Sequence, residues 1–309
     1  MKRYVKMIAA VLALSLTACG GGTQTAEKPA ETQAETPAET AAAKTEEASP
    51  KQEKKKDKTA EDTPFLDEQV IWDQNDLKIT ASYEYSKRGP GISLSFDNST
   101  GKDLRVMMRD FIINNYCVSL LVSTKVPDDN SGEPYSLTRV VLNEDLKNYG
   151  LELTNAEQMS ISFRVFDQGT NELLFDIPEC EIKTNPVDPI GLVKFDEGTE
   201  VYNADGLRIV AKYADDNDDR RIIVFAENTG SEARAIAVSK VSVNGSDLEA
   251  LSGAKVLPGK MVVFTEYLNE GLLANKIDSV DEIQVSCAIY DELTAQPIAF
   301  TDPVQLPVK

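Results

Sequence analysis

Two stretches of the chain are nearly the same, Leu77-Lys-Ile-Thr-Ala-Ser-Tyr83 and Leu207-Arg-Ile-Val-Ala-Lys-Tyr213. They lie 130 positions apart, and the same offset pairs Asn98 with Asn228 without a gap. Four residues of the first stretch, Leu77, Ile79, Ala81 and Tyr83, alternate with polar ones, and the second stretch repeats this pattern with Val210 as its one apolar exception. Alternation of this kind is typical of half-buried antiparallel strands. The fold is therefore expected to be all-β and repeated.

The repeat continues to the end of the chain with a shorter offset. Residues 159–167 (MSISFRVFD) align with residues 283–291 (IQVSCAIYD), now 124 positions apart. An ordered set of matches predicts two homologous domains, 65–186 and 187–309. Each has about seven alternating segments and turn signals such as Asn244-Gly245. Helix-like pieces are short, around 143–148 and 266–275. We predict two tandem immunoglobulin-like antiparallel β-sandwiches, connected through the Pro-containing segment 184–189.

The N-terminus is predicted to be an export signal. Lys2, Arg3 and Lys6 precede an apolar run, residues 7–16, which is about half the ~20 residues that span a bilayer. The run ends in Leu16-Thr17-Ala18-Cys19, which closely resembles the lipobox of bacterial lipoproteins. The resemblance implies cleavage of signal peptide 1–18 and a diacylglycerol on the Cys19 thiol. The alternative is an ordinary secretory signal that is cleaved after Ala18 or slightly later.

Residues 19–64 form the lipid-bearing cysteine and a linker. From Thr23 to Pro64 the segment consists mainly of Ala, Glu, Thr, Lys and Pro and has no aromatic or large aliphatic residue. A segment that cannot bury a core is expected to be disordered. Fully extended, it would reach roughly 140 Å at ~3.3 Å per residue. Such a tether suits a head held away from a membrane, and it favours the outer face of a Gram-positive cell membrane.

The composition excludes several classes of function. The chain has 309 residues, 51 acidic and 32 basic side chains, a net charge of −19 and no histidine. So acidic a surface repels phosphate backbones, which argues against nucleic-acid binding. Without histidine there is no Ser-His-Asp or Cys-His catalysis. No nucleotide loop or zinc motif occurs. We therefore predict neither catalytic residues nor a metal, small-molecule cofactor or enzyme activity.

The second copy carries a set of turn and strand-end motifs: Leu207-Arg-Ile209, Glu227-Asn228-Thr229, Asn244-Gly245, Pro258-Gly259-Lys260 and Asp291. The first copy keeps only some of these motifs: Leu77-Lys-Ile79, Asp97-Asn98-Ser99 and Asp167. With these motifs each copy resembles the immunoglobulin-like domains of unknown function that are common on Gram-positive lipoproteins. The motifs are structural turns, so the resemblance implies a fold and says little about function.

Three further features of the sequence are candidate sites. Residues Asp215-Asp216-Asn217-Asp218-Asp219 could hold Ca²⁺, but they lack the closing glutamate of an EF-hand and are interpreted as a solvated hairpin tip, as is 128–130. Cys117 and Cys180 lie in one copy, and an oxidised pair is possible outside the cytoplasm. Cys287 is expected to be a small core residue. Tyr83 and Tyr213 are expected to serve packing.

We expect a lipid-anchored surface protein that presents two immunoglobulin-like modules for binding a protein or cell-envelope ligand. Edge strands and end loops would make the contacts, with Tyr135 in the long loop 118–137 as a candidate exposed aromatic. The alternative is a passive spacer or envelope component without a specific ligand. The sequence leaves the ligand, the oligomeric state and the relative orientation of the domains open.

Overall fold

The structure is a computed structural model. It describes residues 64–86, 89–118, 122–128, 135–140, 152–186, 188–189, 195, 197–216 and 219–308, with the backbone alone for Ser86 and 135–140. The predicted signal peptide, Cys19, nearly all of the predicted linker and the predicted helical piece 143–148 lie outside these ranges.

The chain is all-β, as the alternating sequence predicts. The described residues before position 187 form nine strands: β1 Gln69–Gln74, β2 Leu77–Ser86, β3 Gly89–Asn98, β4 Leu104–Ile113, β5 Tyr116–Cys117, β6 Ser123–Val126, β7 Tyr135–Val140, β8 Met159–Asp167 and β9 Leu173–Ile182. Among the described residues between β7 and β8, Leu153–Asn155 form a 3₁₀ turn.

Ten strands follow: β10 Thr199–Ala204, β11 Leu207–Asp216, β12 Asp219–Asn228, β13 Arg234–Val243, β14 Ser246–Leu248, β15 Gly253–Val256, β16 Met261–Tyr267, β17 Ile283–Asp291, β18 Pro297–Phe300 and β19 Val304–Leu306. One α-helix, α1 Asn269–Ala274, lies within the segment predicted as helix-like. That segment began too early, because Glu266 belongs to β16. The bounds of β1–β4 recur in β10–β13 at an offset of 130 residues.

The strands form three sheets. The first has the order β1-β2-β3-β7. The second has nine strands, with β10-β11-β12-β16-β5-β4-β8-β9 in order and β6 on β4. The third has the order β14-β13-β17-β18, with β15 on β13 and β19 on β17.

The nine-stranded sheet joins the two halves of the chain, which the prediction of separate antiparallel sandwiches did not include. Its central pairing is parallel: β5 lies beside β16, with Tyr116 opposite Met261 and Cys117 opposite Val262. The orientation of the halves is therefore tied to a sheet rather than to the connector 184–189 alone.

The irregularities of the strands also recur. The β4–β8 ladder has a bulge at Arg109, and the β13–β17 ladder has one at Ser239, its equivalent. The β1–β2 and β10–β11 ladders slip at Ile71 and Val201, also 130 residues apart. Bulges are local features that a fold retains because they aim side chains or end a pairing.

Two apolar cores lie within this framework. One is built from the inward residues of β2, β3, β4 and β8, including Ile79, Leu94 and Phe163. The other contains the inward residues of the second half, including Ile209, Val224 and Ile289. Burial of these side chains, at about 25 cal/mol per Å² of apolar surface, is the main stabilising contribution.

Candidate functional site

The residues repeated between the halves serve the fold. Asn98 and Asn228 are both almost fully buried. The Asn228 Nδ2 donates to the carbonyl oxygens of Glu232 at 2.8 Å and Val256 at 3.3 Å, and its Oδ1 accepts from Gly230 N at 3.0 Å. Asn98 makes the matching bonds to the Lys102 and Val126 carbonyls. Each asparagine therefore ties the loop after its strand to another strand.

Asn114 and Asn244 also have a shared structural use. The Asn114 Oδ1 accepts from the amides of Glu157 and Gln158, and the Asn244 Oδ1 accepts from those of Asp281 and Glu282. Both asparagines have positive φ, 45° and 50°, at the tips of tight hairpins. The repeated asparagines thus hold turns.

Asp167 and Asp291 end equivalent strands and cap the turns that follow. The Asp167 Oδ1 accepts from Gly169 N and Thr170 N, and the Asp291 Oδ1 accepts from the Thr294 amide and hydroxyl. The Thr170 amide and the Lys102 ammonium lower the pKa of Asp167. The Thr294 hydroxyl and amide lower the pKa of Asp291. Hydrogen bonds to the charged form are the cause in both cases.

The acidic hairpin 215–219 joins β11 and β12, and its described carboxylates are paired within the hairpin. Arg220 Nε lies 3.2 Å from Asp215 Oδ2, and Arg221 binds both Asp216 and Asp219. Asn217 and Asp218 lie outside the described ranges, as do Asp129 and Asn130 of the first copy. Among the side chains that are described, no group of three or more potential metal ligands occurs. The guanidinium groups of Arg220 and Arg221 therefore supply the positive charge that pairs with the described carboxylates of this hairpin.

The described cysteines are free thiols, which contradicts the hypothesis of a Cys117–Cys180 disulfide. The reason is packing: Cys180 lies in the core of the first half, whereas Cys117 packs into the core of the second. Burial raises the pKa of Cys117 to about 11 and that of Cys287 to about 12. Cys287 is fully buried, as predicted.

The two repeated tyrosines differ. The Tyr83 ring contacts Phe65 edge to face at 5.4 Å between centroids. The Tyr213 hydroxyl lies 3.3 Å from Asp215 Oδ2, and burial, followed by the Asp215 charge, raises the Tyr213 pKa to about 12. Tyr135 is described only as backbone within β7.

The contact between the halves combines backbone, polar and aromatic interactions. Met261 N donates to Asn115 O at 3.0 Å, and Asn115 Nδ2 donates to Gly259 O at 2.9 Å. The Lys255 ammonium binds the Asp110 carboxylate and lies 3.7 Å from Glu292. The rings of Tyr116 and Phe225 meet edge to face. Sequence reasoning did not identify this contact.

Beside this contact lies a cleft of about 360 Å³, which we call the junction cleft. It lies against the outer faces of β4, β8 and β9, and Leu257 of the second half forms part of its wall. Its polar lining comes from the first half: Arg109, Asp110, Ser160, Ser162, Asp176 and Glu179. The bulge of β4 places Arg109 and Asp110 there.

The polar groups of the junction cleft are held in place by one another. The Ser162 hydroxyl donates to Asp110 Oδ2 at 2.8 Å, and the Ser160 hydroxyl donates to Glu179 Oε1 at 2.6 Å. Both serines are buried, whereas the Arg109 side chain keeps 39% of its surface exposed. Of the three carboxylates in the lining, Asp110 is paired with Lys255, and Asp176 Oδ1 lies 3.6 Å from Arg164 Nε. The lining therefore offers fixed hydrogen-bonding groups more than unpaired charge. Ile177 and Pro178 add apolar surface, a combination typical of ligand pockets.

No helix among the described residues is long and apolar enough to cross a membrane.

Comparison with known proteins gives no assignment. No protein family and no curated protein matches the sequence. Among solved structures, an exo-chitosanase from Amycolatopsis orientalis shares 10% identity over 73% of this chain and 26% of its own, with a TM-score of 0.23. A DUF4785 family protein from Legionella pneumophila shares 8% identity over 75% of this chain and 56% of its own, also at 0.23. The chain thus spans about a quarter and about half of these proteins, and the likeness is too low to support an argument about fold or function.

Proposed function

We propose that this protein is a lipid-anchored binding protein of the outer bacterial cell surface, with two immunoglobulin-like domains, 65–186 and 187–309. The lipobox-like Leu16-Thr17-Ala18-Cys19 supports the anchor, with the acyl chains on Cys19. The matching strand bounds and bulges of the two halves support the repeated sandwich. In this proposal the protein is not an enzyme and needs no cofactor.

The observation that carries the binding function is the junction cleft. It combines apolar surface with a small set of fixed polar groups, Arg109 among them. The net charge of −19 favours a neutral or positively charged segment of a protein or of a cell-envelope glycan. A polyanionic wall polymer is disfavoured by the same charges.

The binding function is tested by capture from native envelope and secreted fractions. The bait is the chain without residues 1–19, immobilised through its C-terminus. The variant Arg109→Ala changes the cleft, and Arg208→Ala is the matched control, since that arginine is also 39% exposed and also pairs with one carboxylate. We expect a saturable partner that Arg208→Ala retains and Arg109→Ala loses by about tenfold in affinity. Equal capture by all three baits would contradict a cleft site.

The anchor is tested separately in the native cell. Growth with an alkyne fatty acid is expected to label the wild-type protein and leave the Cys19→Ala variant unlabelled. The wild-type protein is expected to partition with detergent and membranes. A labelled Cys19→Ala protein, or a wild-type protein free in the medium, would contradict the anchor.

A rigid spacer is the second candidate, and one observation favours it. The nine-stranded sheet continues from one half into the other, which suits a stiff head on a long tether. Reproducible absence of any captured partner, with the bait folded by circular dichroism, would favour this function over binding.

A further inference from the structure

One strand of the second half is buried on both faces, whereas its counterpart in the first half is buried on one. In β3 the residues from Ile92 to Phe96 alternate between buried and half-buried. In β12 the equivalent residues, Ile222 to Ala226, are all buried. The outer face of β12 is covered from both halves: Phe195 of the second half stacks on the Phe225 ring, and Tyr116 of the first half meets that ring edge to face.

The outer-face residues differ between the halves in the way this contact requires. Val210, Ile223 and Phe225 pack with the core of the first half and are at most 6% exposed. Their equivalents at the offset of 130 residues are Thr80, Ser93 and Ser95, which are polar and half-buried. The apolar side chains thus occur only on the copy whose outer face is covered.

The hairpin that contacts this face also differs between the halves. In the first half the β4–β5 hairpin presents Asn115, Tyr116 and Cys117 to the second half. The equivalent hairpin of the second half has Gly245, Ser246 and Asp247. It has lost the amide and the ring that make this contact.

The ion pair gives a third, electrostatic difference. Asp110 of the first half binds Lys255 of the second. Their equivalents are Lys240 of the second half and Lys125 of the first half. If the β13–β14 hairpin of one chain docked on the first half of another chain with the same geometry, these two ammonium groups would lie together. Like charges at such a distance repel.

We infer that the outer face of β12 and β16 is a dedicated docking surface for the β4–β5 hairpin of the same chain, used once and unable to propagate to further chains. A contact between different surfaces of two homologous units would otherwise continue head to tail into a filament. The docking surface holds the halves together without help from the connector.

The test is to cut the connector in the otherwise intact chain. A specific protease sequence inserted between Asp188 and Pro189 allows cleavage after folding. We expect the two cut pieces to co-elute as a one-to-one complex on size exclusion with light scattering. The uncut chain is expected to show no head-to-tail polymer at increasing concentration. The inference would be overturned if the cut wild-type pieces separated. It would also be overturned if the uncut chain formed polymers that the variant Phe225→Ser abolished.

Two sets of variants assign the association to this surface. Phe225→Ser introduces the serine of the first half, and we expect it to weaken the cut complex at least about tenfold. Phe300→Ser, at a phenylalanine that is 66% exposed on β18, is the matched control and is expected to have no effect.

Charge exchange distinguishes a lost contact from a poorly folded variant. Asp110→Lys and Lys255→Asp are each expected to weaken the cut complex, and the double variant is expected to recover most of the loss. A complex that is indifferent to Phe225→Ser and to both single charge reversals would overturn the assignment, because another surface would then hold the pieces.

Discussion

At the scale of single residues, identity between the halves indicates structural use. The repeated asparagines bind backbone groups of neighbouring loops, and the repeated aspartates cap turns. A loop amide or carbonyl without a partner costs free energy when it is buried, so a side chain that satisfies it is retained in both copies. The residues that differ, such as Asp110 and Lys240, are the ones with a distinct use.

The buried asparagine of the second half gives a direct prediction. Asn228→Ala removes the donor to Glu232 O and Val256 O and the acceptor for Gly230 N. We expect a loss of about 2–3 kcal/mol in the free energy of unfolding, measured in urea. Asn203→Ala is the control, because Asn203 is exposed and makes one bond to Glu200; its loss should stay below about 0.5 kcal/mol. Equal losses would contradict the assigned role of Asn228.

The turn aspartates predict a dependence on acid. The pKa of Asp167 and that of Asp291 are lowered by hydrogen bonds to the folded chain. The stabilisation is therefore present above the unfolded pKa, near 4, and is lost as the pH falls through the lower folded pKa. The variant Asp167→Asn with Asp291→Asn keeps an acceptor oxygen and removes the titration. In urea unfolding between pH 5 and pH 3, we expect it to lose less stability than the wild type. An equal loss of stability between pH 5 and pH 3 in the variant and in the wild type would contradict a contribution from the titration of these two aspartates.

At the scale of elements, a tight turn shows why the copies differ in glycine. Asp205 and Gly206 join β10 and β11 with φ of 52° and 76°, and the first half has Asn75 and Asp76 there with φ of 54° and 55°. The left-handed conformation alone therefore does not require glycine. A Cβ on Gly206, however, would lie 2.7 Å from Gly230 N and 2.9 Å from its Cα. The close approach of the backbone at Gly230 is therefore the reason that position 206 is glycine.

A pair of glycine variants separates these two effects. Gly245→Ala, at φ of 80° with open space around the Cβ position, should cost about 1 kcal/mol from backbone strain alone. Gly206→Ala should cost at least about 1 kcal/mol more, because the backbone at Gly230 must also move. The measurement is the midpoint of urea unfolding for both variants. Equal costs would show that the close approach is relieved without strain.

The elements also show how far the sequence predicts the structure. Alternation and the repeat predict the strands and the buried face of each, because a half-buried strand must place apolar side chains at every second position. The contact between the halves was not predicted, because the parallel pairing of the two residues of β5 with β16 leaves no periodic signal in the sequence. One sign was present: Ile222-Ile223-Val224-Phe225-Ala226 has no polar position. Such a run is typical of a strand covered on both faces. The junction cleft, built from β4, β8, β9 and Leu257, depends on that contact.

At the scale of the whole molecule, the two halves share apolar packing. Phe225 and Met261 of the second half belong to the core of the first, and Cys117 of the first belongs to the core of the second. Opening either half therefore exposes apolar surface of the other. Units coupled in this way unfold together when the free energy of their contact is large relative to the difference between their own stabilities.

We therefore predict one cooperative unfolding transition, which two independent signals can test. The single tryptophan, Trp72, lies on β1 and packs against the core of the first half. Its fluorescence reports that half, whereas far-ultraviolet circular dichroism reports the strands of both. In urea the two curves are expected to coincide for the wild type. Phe225→Ser, which weakens the contact, should separate them into two transitions, and Phe300→Ser should not. Wild-type curves that already differ in midpoint would show that the halves unfold independently, despite the sheet that joins them.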